Sequence, residues 1–227
     1  MKKLFIIGNW KSYKTSVETK EWFEEFSKNS VAMNIENKEA ILCVPFTVLS
    51  LAKSLVDQYN LPLELGAQDL SPFDEGKYTG EVTGEQIAEF AKYVIIGHSE
   101  RRQYFLENEE MVNKKIEMAF QYGLTPVICI SEIGQVDSFK PIIEGRSAII
   151  AYEPLFAIGS GKPDSPENAE KTSAEIQEKM ENISIIYGGS VTSQNVHSFT
   201  AMQTIAGVLP GGASLNAAEF TTIIANA

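Results

Sequence analysis

Cysteine is nearly absent from the 227-residue chain, and the two that occur, Cys43 and Cys129, each sit inside an apolar run. That excludes a disulfide framework or a cysteine-rich metal site and suits reduced, buried thiols. Basic residues are scarce beside acidic ones: 19 Lys and Arg against 30 Asp and Glu leave a net charge of -11. Nucleic-acid binding needs a basic footprint, and an anionic membrane would repel such a surface, so neither partner is expected. An anionic ligand must then be held by a local site. No apolar run approaches the ~20 residues that span a bilayer. Met1-Lys2-Lys3 leads into only four apolar residues before Gly8, too few for a secretory signal. Low-complexity tracts and linkers are missing too. The expectation is a soluble, cytoplasmic protein of one domain, residues 1–227.

What is present is a repeated unit of apolar run, polar exit and helical segment. The runs are Leu4–Ile7, Ile41–Val44, Leu63–Leu65, Tyr93–Ile96, Val127–Ile130, Ala148–Ala151, Ile183–Tyr187 and Thr204–Leu209. Short runs without polar alternation read as strands buried on both faces. Between them lie helical segments with recognisable starts. Thr83 with Gln86 predicts a capping box for a helix running to about Lys92, and Ser165-Pro166 predicts a cap and first residue for one ending near Met180. Helices are also expected from Ser16, over Val48–Tyr59 and Glu109–Tyr122, around Gln194–Thr200 and over Ala217–Ala225. The span Ser131–Arg146 holds Gly134, Pro141 and Gly145, so the helix after the fifth strand is expected to be shortened or missing. Eight such units in one domain predict an α/β fold, a closed (β/α)8 barrel.

In such a barrel the loops after the strands share one rim and hold the ligand. That rim gathers Asn9 and Lys11 from the first exit, His98 from the fourth, Glu153 from the sixth, Ser190 from the seventh, and Gly211 and Gly212 from the eighth. Glu153 follows its apolar run almost at once, ahead of Pro154 and a glycine-punctuated segment, Gly159-Ser160-Gly161-Lys162, that suits a lid with stiff ends. His98 precedes a helical turn whose positive end disfavours an imidazolium and leaves a neutral donor. The Gly188-Gly189-Ser190 and Gly211-Gly212 turns can present N–H groups to a phosphate without a cation. His197, on a short helix with nothing beside it, reads as a hydrogen-bonded structural histidine. A carboxylate base, a neutral electrophile, a cation and a phosphate cradle suit proton abstraction beside a carbonyl. Two other readings stay open on these residues: a barrel acting on another sugar phosphate as epimerase or lyase, and a non-catalytic barrel kept for binding.

Five blocks, GNWK (Gly8–Lys11), GHSERR (Gly97–Arg102), AYEPLFAIGSGK (Ala151–Lys162), YGGSV (Tyr187–Val191) and GGASL (Gly211–Leu215), resemble in content and order the signature blocks of the triosephosphate isomerase family. The resemblance covers nearly the whole chain. It implies interconversion of dihydroxyacetone phosphate and glyceraldehyde 3-phosphate, in glycolysis and gluconeogenesis, with neither cofactor nor metal. It further implies Glu153 as base, His98 as electrophile, Lys11 as catalytic cation, and Asn9 and Lys11 as substrate-binding residues. Gly159, Ser190, Gly211 and Gly212 would bind phosphate, and Glu100 would support Lys11. The loop Gln68 to Glu81, ending in YTGE, resembles the family's dimer loop, so a homodimer is implied. The chain departs from the family pattern at Phe156 in the lid, at Pro210 before the glycine pair, at Leu106 where glycine is common, and in the short span after the fifth strand.

Overall fold

The computed structural model describes residues 2–30, 35–159, 161–180 and 183–227. Eight parallel strands close on themselves in chain order: β1 (Leu4–Asn9), β2 (Lys38–Val44), β3 (Glu64–Ala67), β4 (Tyr93–Ile96), β5 (Thr125–Ile130), β6 (Ile149–Tyr152), β7 (Ser184–Tyr187) and β8 (Ile205–Val208). Closure joins β1 to β8 through the registers Phe5 with Gly207 and Ile6 with Val208. Glycine is required at that seam, because a Cβ on Gly207 would lie 1.9 Å from the Phe5 carbonyl oxygen.

Successive side chains on a strand point to opposite faces, and the core divides accordingly. One cluster consists of strand and strand-end residues alone, among them Ile7, Ile41, Cys43, Ile95, Val127, Cys129, Ile149, Ala151 and Ile186. It fills the barrel. The other joins outward strand residues such as Ile6, Leu42, Ile96 and Ile128 to helix residues such as Phe23, Ile116, Phe139 and Phe220. Both cysteines are therefore barrel-filling thiols, fully buried and unbridged.

The outer layer comprises α1 (Ser16–Ser30), α2 (Phe46–Tyr59), α3 (Gly84–Ala88), α4 (Ser99–Tyr104), α5 (Glu109–Gln121), α6 (Val136–Ile143), α7 (Pro166–Lys179), α8 (Val196–Thr200) and α9 (Ala217–Asn226). The capping box at Thr83 and Gln86 forms as expected, but α3 stops four residues short of Lys92. The N–H groups of Phe90 and Ala91 both turn back to the Ile87 carbonyl, and Lys92 already donates to Leu65 of β3, so the chain is entering the sheet. After β5 the helix is shortened rather than missing. A 3-10 turn, Ile133–Gln135, runs into the eight residues of α6, which bury Val136, Phe139 and Ile143. Those three side chains suffice to cover the wall, since Ile128 and Ile130 of β5 stay at most 1% exposed. Among the described residues no helix is long and apolar enough to cross a membrane.

Candidate active site

The inward series on β6 is Ile149 and Ala151, and the next inward position is Glu153; on β1, Phe5 and Ile7 lead to Asn9 in the same way. Two-residue periodicity thus delivers both polar side chains to the barrel mouth. Glu153 is 2% exposed, and Asn9 is 5% exposed. The Glu153 N–H donates to the Ile130 carbonyl at 2.7 Å, which ties the carboxylate's backbone to β5. Its Oε2 accepts the Ser99 N–H at 3.0 Å, while its Oε1 lies 3.1 Å from His98 Nε2. Beneath it, Cys129 is pushed well above the usual thiol range, first by burial and then by the Glu153 carboxylate.

His98 is the N-cap of α4. Its Nδ1 accepts the Glu100 N–H at 3.2 Å, which leaves the ring proton on Nε2, the nitrogen beside Glu153.

Lys11 reaches the mouth on a backbone with φ of 52°, a left-handed conformation costly for a residue with a side chain. Both of its peptide groups are held. Its N–H donates to Asn9 Oδ1 at 2.9 Å, and its carbonyl accepts Gln68 Nε2 at 2.9 Å, the same amide that bonds the Cys43 carbonyl. The ammonium then meets Glu100 Oε1 at 2.5 Å, the contact expected of a supporting carboxylate.

The glycine turns are equally well fixed. Pro210 lacks an N–H, but its carbonyl accepts the Asn9 N–H at 2.9 Å and joins the eighth exit to the first. Gly212–Leu215 forms a 3-10 turn, whose leading N–H groups have no carbonyl partner within the turn. Trp10 and Trp22 both donate their indole N–H to the Ser214 carbonyl, each at 3.1 Å, and clamp this turn from outside the barrel. After β7, the Ser190 hydroxyl donates to the Ala157 carbonyl at 2.7 Å and Tyr187 Oη accepts the Asp164 N–H at 2.8 Å. Both flanks of the lid are thereby pinned to the YGGS exit. Burial pushes the Tyr187 phenol up to about 12. Leu155–Ala157 forms one 3-10 turn in the lid, and Leu155 and Phe156 are exposed; Ser160 lies outside the described residues.

A cavity of about 490 Å³ brings Asn9, Lys11, His98, Glu153, Gly159, Ser190, Gly211 and Gly212 together. Glu100 stands one step back, on Lys11, and His197 is exposed on α8, away from this cavity. Two contributors carry no isolated signal in the sequence: Gln68 pins Lys11, and Ser99 supplies the N–H to Glu153. Gly188, expected as part of a phosphate-cradling turn, also gives Glu153 room, since a Cβ there would lie 2.8 Å from Glu153 Cγ. Only the fold reveals Gln68.

Comparison with known proteins agrees with this fold. The family model described as triosephosphate isomerase matches residues 4–227. A triosephosphate isomerase from Mesomycoplasma hyopneumoniae (strain 232) is 41% identical over 246 aligned positions, covering 100% of both chains. One from Synechococcus sp. (strain JA-3-3Ab) is 38% identical, covering 99% of this chain and 95% of the relative. The crystal structure of triosephosphate isomerase from Bartonella henselae superimposes with a TM-score of 0.82 at 31% identity, covering 97% of each chain. With a barrel of the same form and a match along almost its full length, the chain belongs to the triosephosphate isomerase family.

Proposed function

We propose that this protein interconverts dihydroxyacetone phosphate and glyceraldehyde 3-phosphate, with Glu153 as the base and neutral His98 as the electrophile. One observation carries the reading: a buried carboxylate and a ring N–H lie 3.1 Å apart at a cavity shared with the Gly211-Gly212 turn. Glu153 removes the proton from the carbon beside the carbonyl, and His98 Nε2–H donates to the carbonyl oxygen as negative charge builds there. The resulting enediol(ate) is reprotonated on the neighbouring carbon, which exchanges aldehyde for ketone with no net change in atoms or oxidation state. Lys11, oriented by Asn9 and Glu100, stabilises the developing anion. The N–H groups at Gly159, Ser190, Gly211 and Gly212 hold the phosphate, a suitable arrangement in a protein of net charge -11. The lid keeps the intermediate dry and so guards it against loss of phosphate.

The test is a coupled assay of the metal-chelated protein with glyceraldehyde 3-phosphate, with Glu153→Gln alongside. The variant is expected to lose about 10²-fold or more in turnover, as for removal of a positioned base. Near-normal turnover would remove Glu153 from the role.

The chain acts as a homodimer through the Gln68 to Glu81 loop in this reading. Phe73 and Tyr78 stack there at 4.3 Å yet stay 42% and 45% exposed, and Tyr13, Phe105 and Leu106 on nearby exits are exposed as well. Such apolar surface suits a partner. Sedimentation at micromolar concentration checks it: a monomer would refute the assignment. The two unbridged thiols fit a cytoplasmic location.

A further inference from the structure

The exits of β4 and β5 are joined by a run of polar contacts that the proposed chemistry does not use. It begins at the peptide leading into His98, where the Gly97 carbonyl accepts Arg102 Nε at 2.8 Å. Arg102 in turn grips Glu109 with two nitrogens, Nη1 to Oε1 at 2.6 Å and Nη2 to Oε2 at 3.5 Å. Glu109 opens α5, where the helix end favours a carboxylate. The same carboxylate accepts Gln135 Nε2 at 3.2 Å and the Ser138 hydroxyl at 3.2 Å. At its other end the Gln135 amide accepts, through Oε1, the N–H groups of Ser131 at 2.7 Å and Glu132 at 3.1 Å. These follow Ile130, whose carbonyl holds the Glu153 N–H.

We propose that Gln135, Glu109 and Arg102 form a brace that sets the His98 loop against Glu153, which makes Gln135 and Glu109 positioning residues for the reaction. The proposal rests on the roles given above to His98 and Glu153. The residue type at 135 is what the brace requires. A side chain there must accept from two backbone N–H groups and donate to a carboxylate, and an amide does both, its oxygen carrying two lone pairs and its nitrogen two protons. A carboxylate at that position would face Glu109 with like charge, and an ammonium would offer the N–H groups no acceptor. The brace also gives the shortened fifth unit a purpose, because Gln135 and Ser138 flank the start of α6, the part of that unit that remains.

Steady-state kinetics and thermal melting of Gln135→Ala and Gln135→Glu test it, with Asp137→Ala as control. Asp137 lies two residues on, in the first turn of α6, but pairs with Lys179 at 2.8 Å, off the path. Gln135→Ala is expected to lower kcat about 10-fold with KM within about twofold, as for a small misplacement of reacting groups. Gln135→Glu should lose at least as much at neutral pH and recover as pH falls and the two carboxylates come to share a proton. Asp137→Ala should keep its kcat. The brace is overturned by a Gln135→Ala kcat within about twofold of the parent, or by an equal loss in Asp137→Ala. Should Gln135→Ala fail to fold, the pH profile of Gln135→Glu decides, and a profile matching the parent's overturns the proposal. A parent without turnover overturns function and brace together, whereas an active parent with unaffected variants overturns the brace alone.

Discussion

Gly188→Ala puts the proposed base under a small, calculable push. The added Cβ would lie 2.8 Å from Glu153 Cγ and 3.2 Å from the Tyr152 carbonyl oxygen. Carbon atoms in contact settle at about 3.5–4.0 Å, so something must yield by roughly 0.7 Å or more. The backbone is poorly placed to do so, because the Gly188 N–H donates to that same Tyr152 carbonyl at 2.8 Å and the strand is locked between neighbours. Glu153 is the freer partner. Moving its Cγ swings the carboxylate away from the Ser99 N–H and from His98 Nε2. Overpacking of this kind costs about 1–3 kcal/mol of stability, and a displacement approaching 1 Å at a reacting group costs up to about 10²-fold in rate. The measurement is kcat and KM by coupled assay, with melting temperature recorded on the same preparations. The expected result is a large fall in kcat, a modest fall in melting temperature and little change in KM. A variant with kcat within about twofold of the parent would show that Glu153 does not need this room, and the geometric argument would fail.

Two further outcomes follow from named contacts. With only two histidines in the chain, imidazole ¹⁵N spectra can be assigned by one substitution at His197, and His98 should appear at neutral pH with Nε2 protonated and Nδ1 bare; the opposite tautomer would remove it as donor. Lys115, 2% exposed, sits between Glu107 and Asp69, the latter already raised by burial despite that ammonium. Lys115→Met should cost about 3–5 kcal/mol. The deficit should narrow as pH falls, because Asp69 and Glu107 are left to share the Arg101 guanidinium and protonating Asp69 removes the surplus negative charge; an unchanged melting temperature would contradict this.

How much of this was legible in advance depended on whether a signal was local. Eight apolar runs ending in polar exits were enough for a closed barrel, and their place just past those runs put Asn9 and Glu153 at its mouth. The shortness of α6 was readable because Gly134, Pro141 and Gly145 act within a few residues of themselves. The overlong expectation for α3 failed because tertiary geometry decided it: Lys92 is claimed by Leu65 before the helix can reach it. The role of Gln68 was invisible for a related reason, since its amide bonds carbonyls 57 and 25 positions away, and although Gln135 accepts locally from Ser131 and Glu132, its partner Glu109 lies 26 positions away. Ser190 was read for its backbone N–H, whereas its hydroxyl is engaged by Ala157 in the lid. Leu106, where the family pattern favours glycine, keeps a left-handed φ of 55°.

The two indoles that clamp the Ser214 carbonyl are also the only tryptophans in the chain, stacked edge to face at 5.2 Å and at most 3% exposed. With Phe156 in the lid, no indole lies on that segment. Tryptophan emission from this protein therefore has a single source, lodged behind the turn proposed to hold phosphate and buried from solvent. A change in that emission on adding inorganic phosphate would report on the surroundings of the indole pair, the Ser214 turn and the first exit, rather than on an indole in the lid.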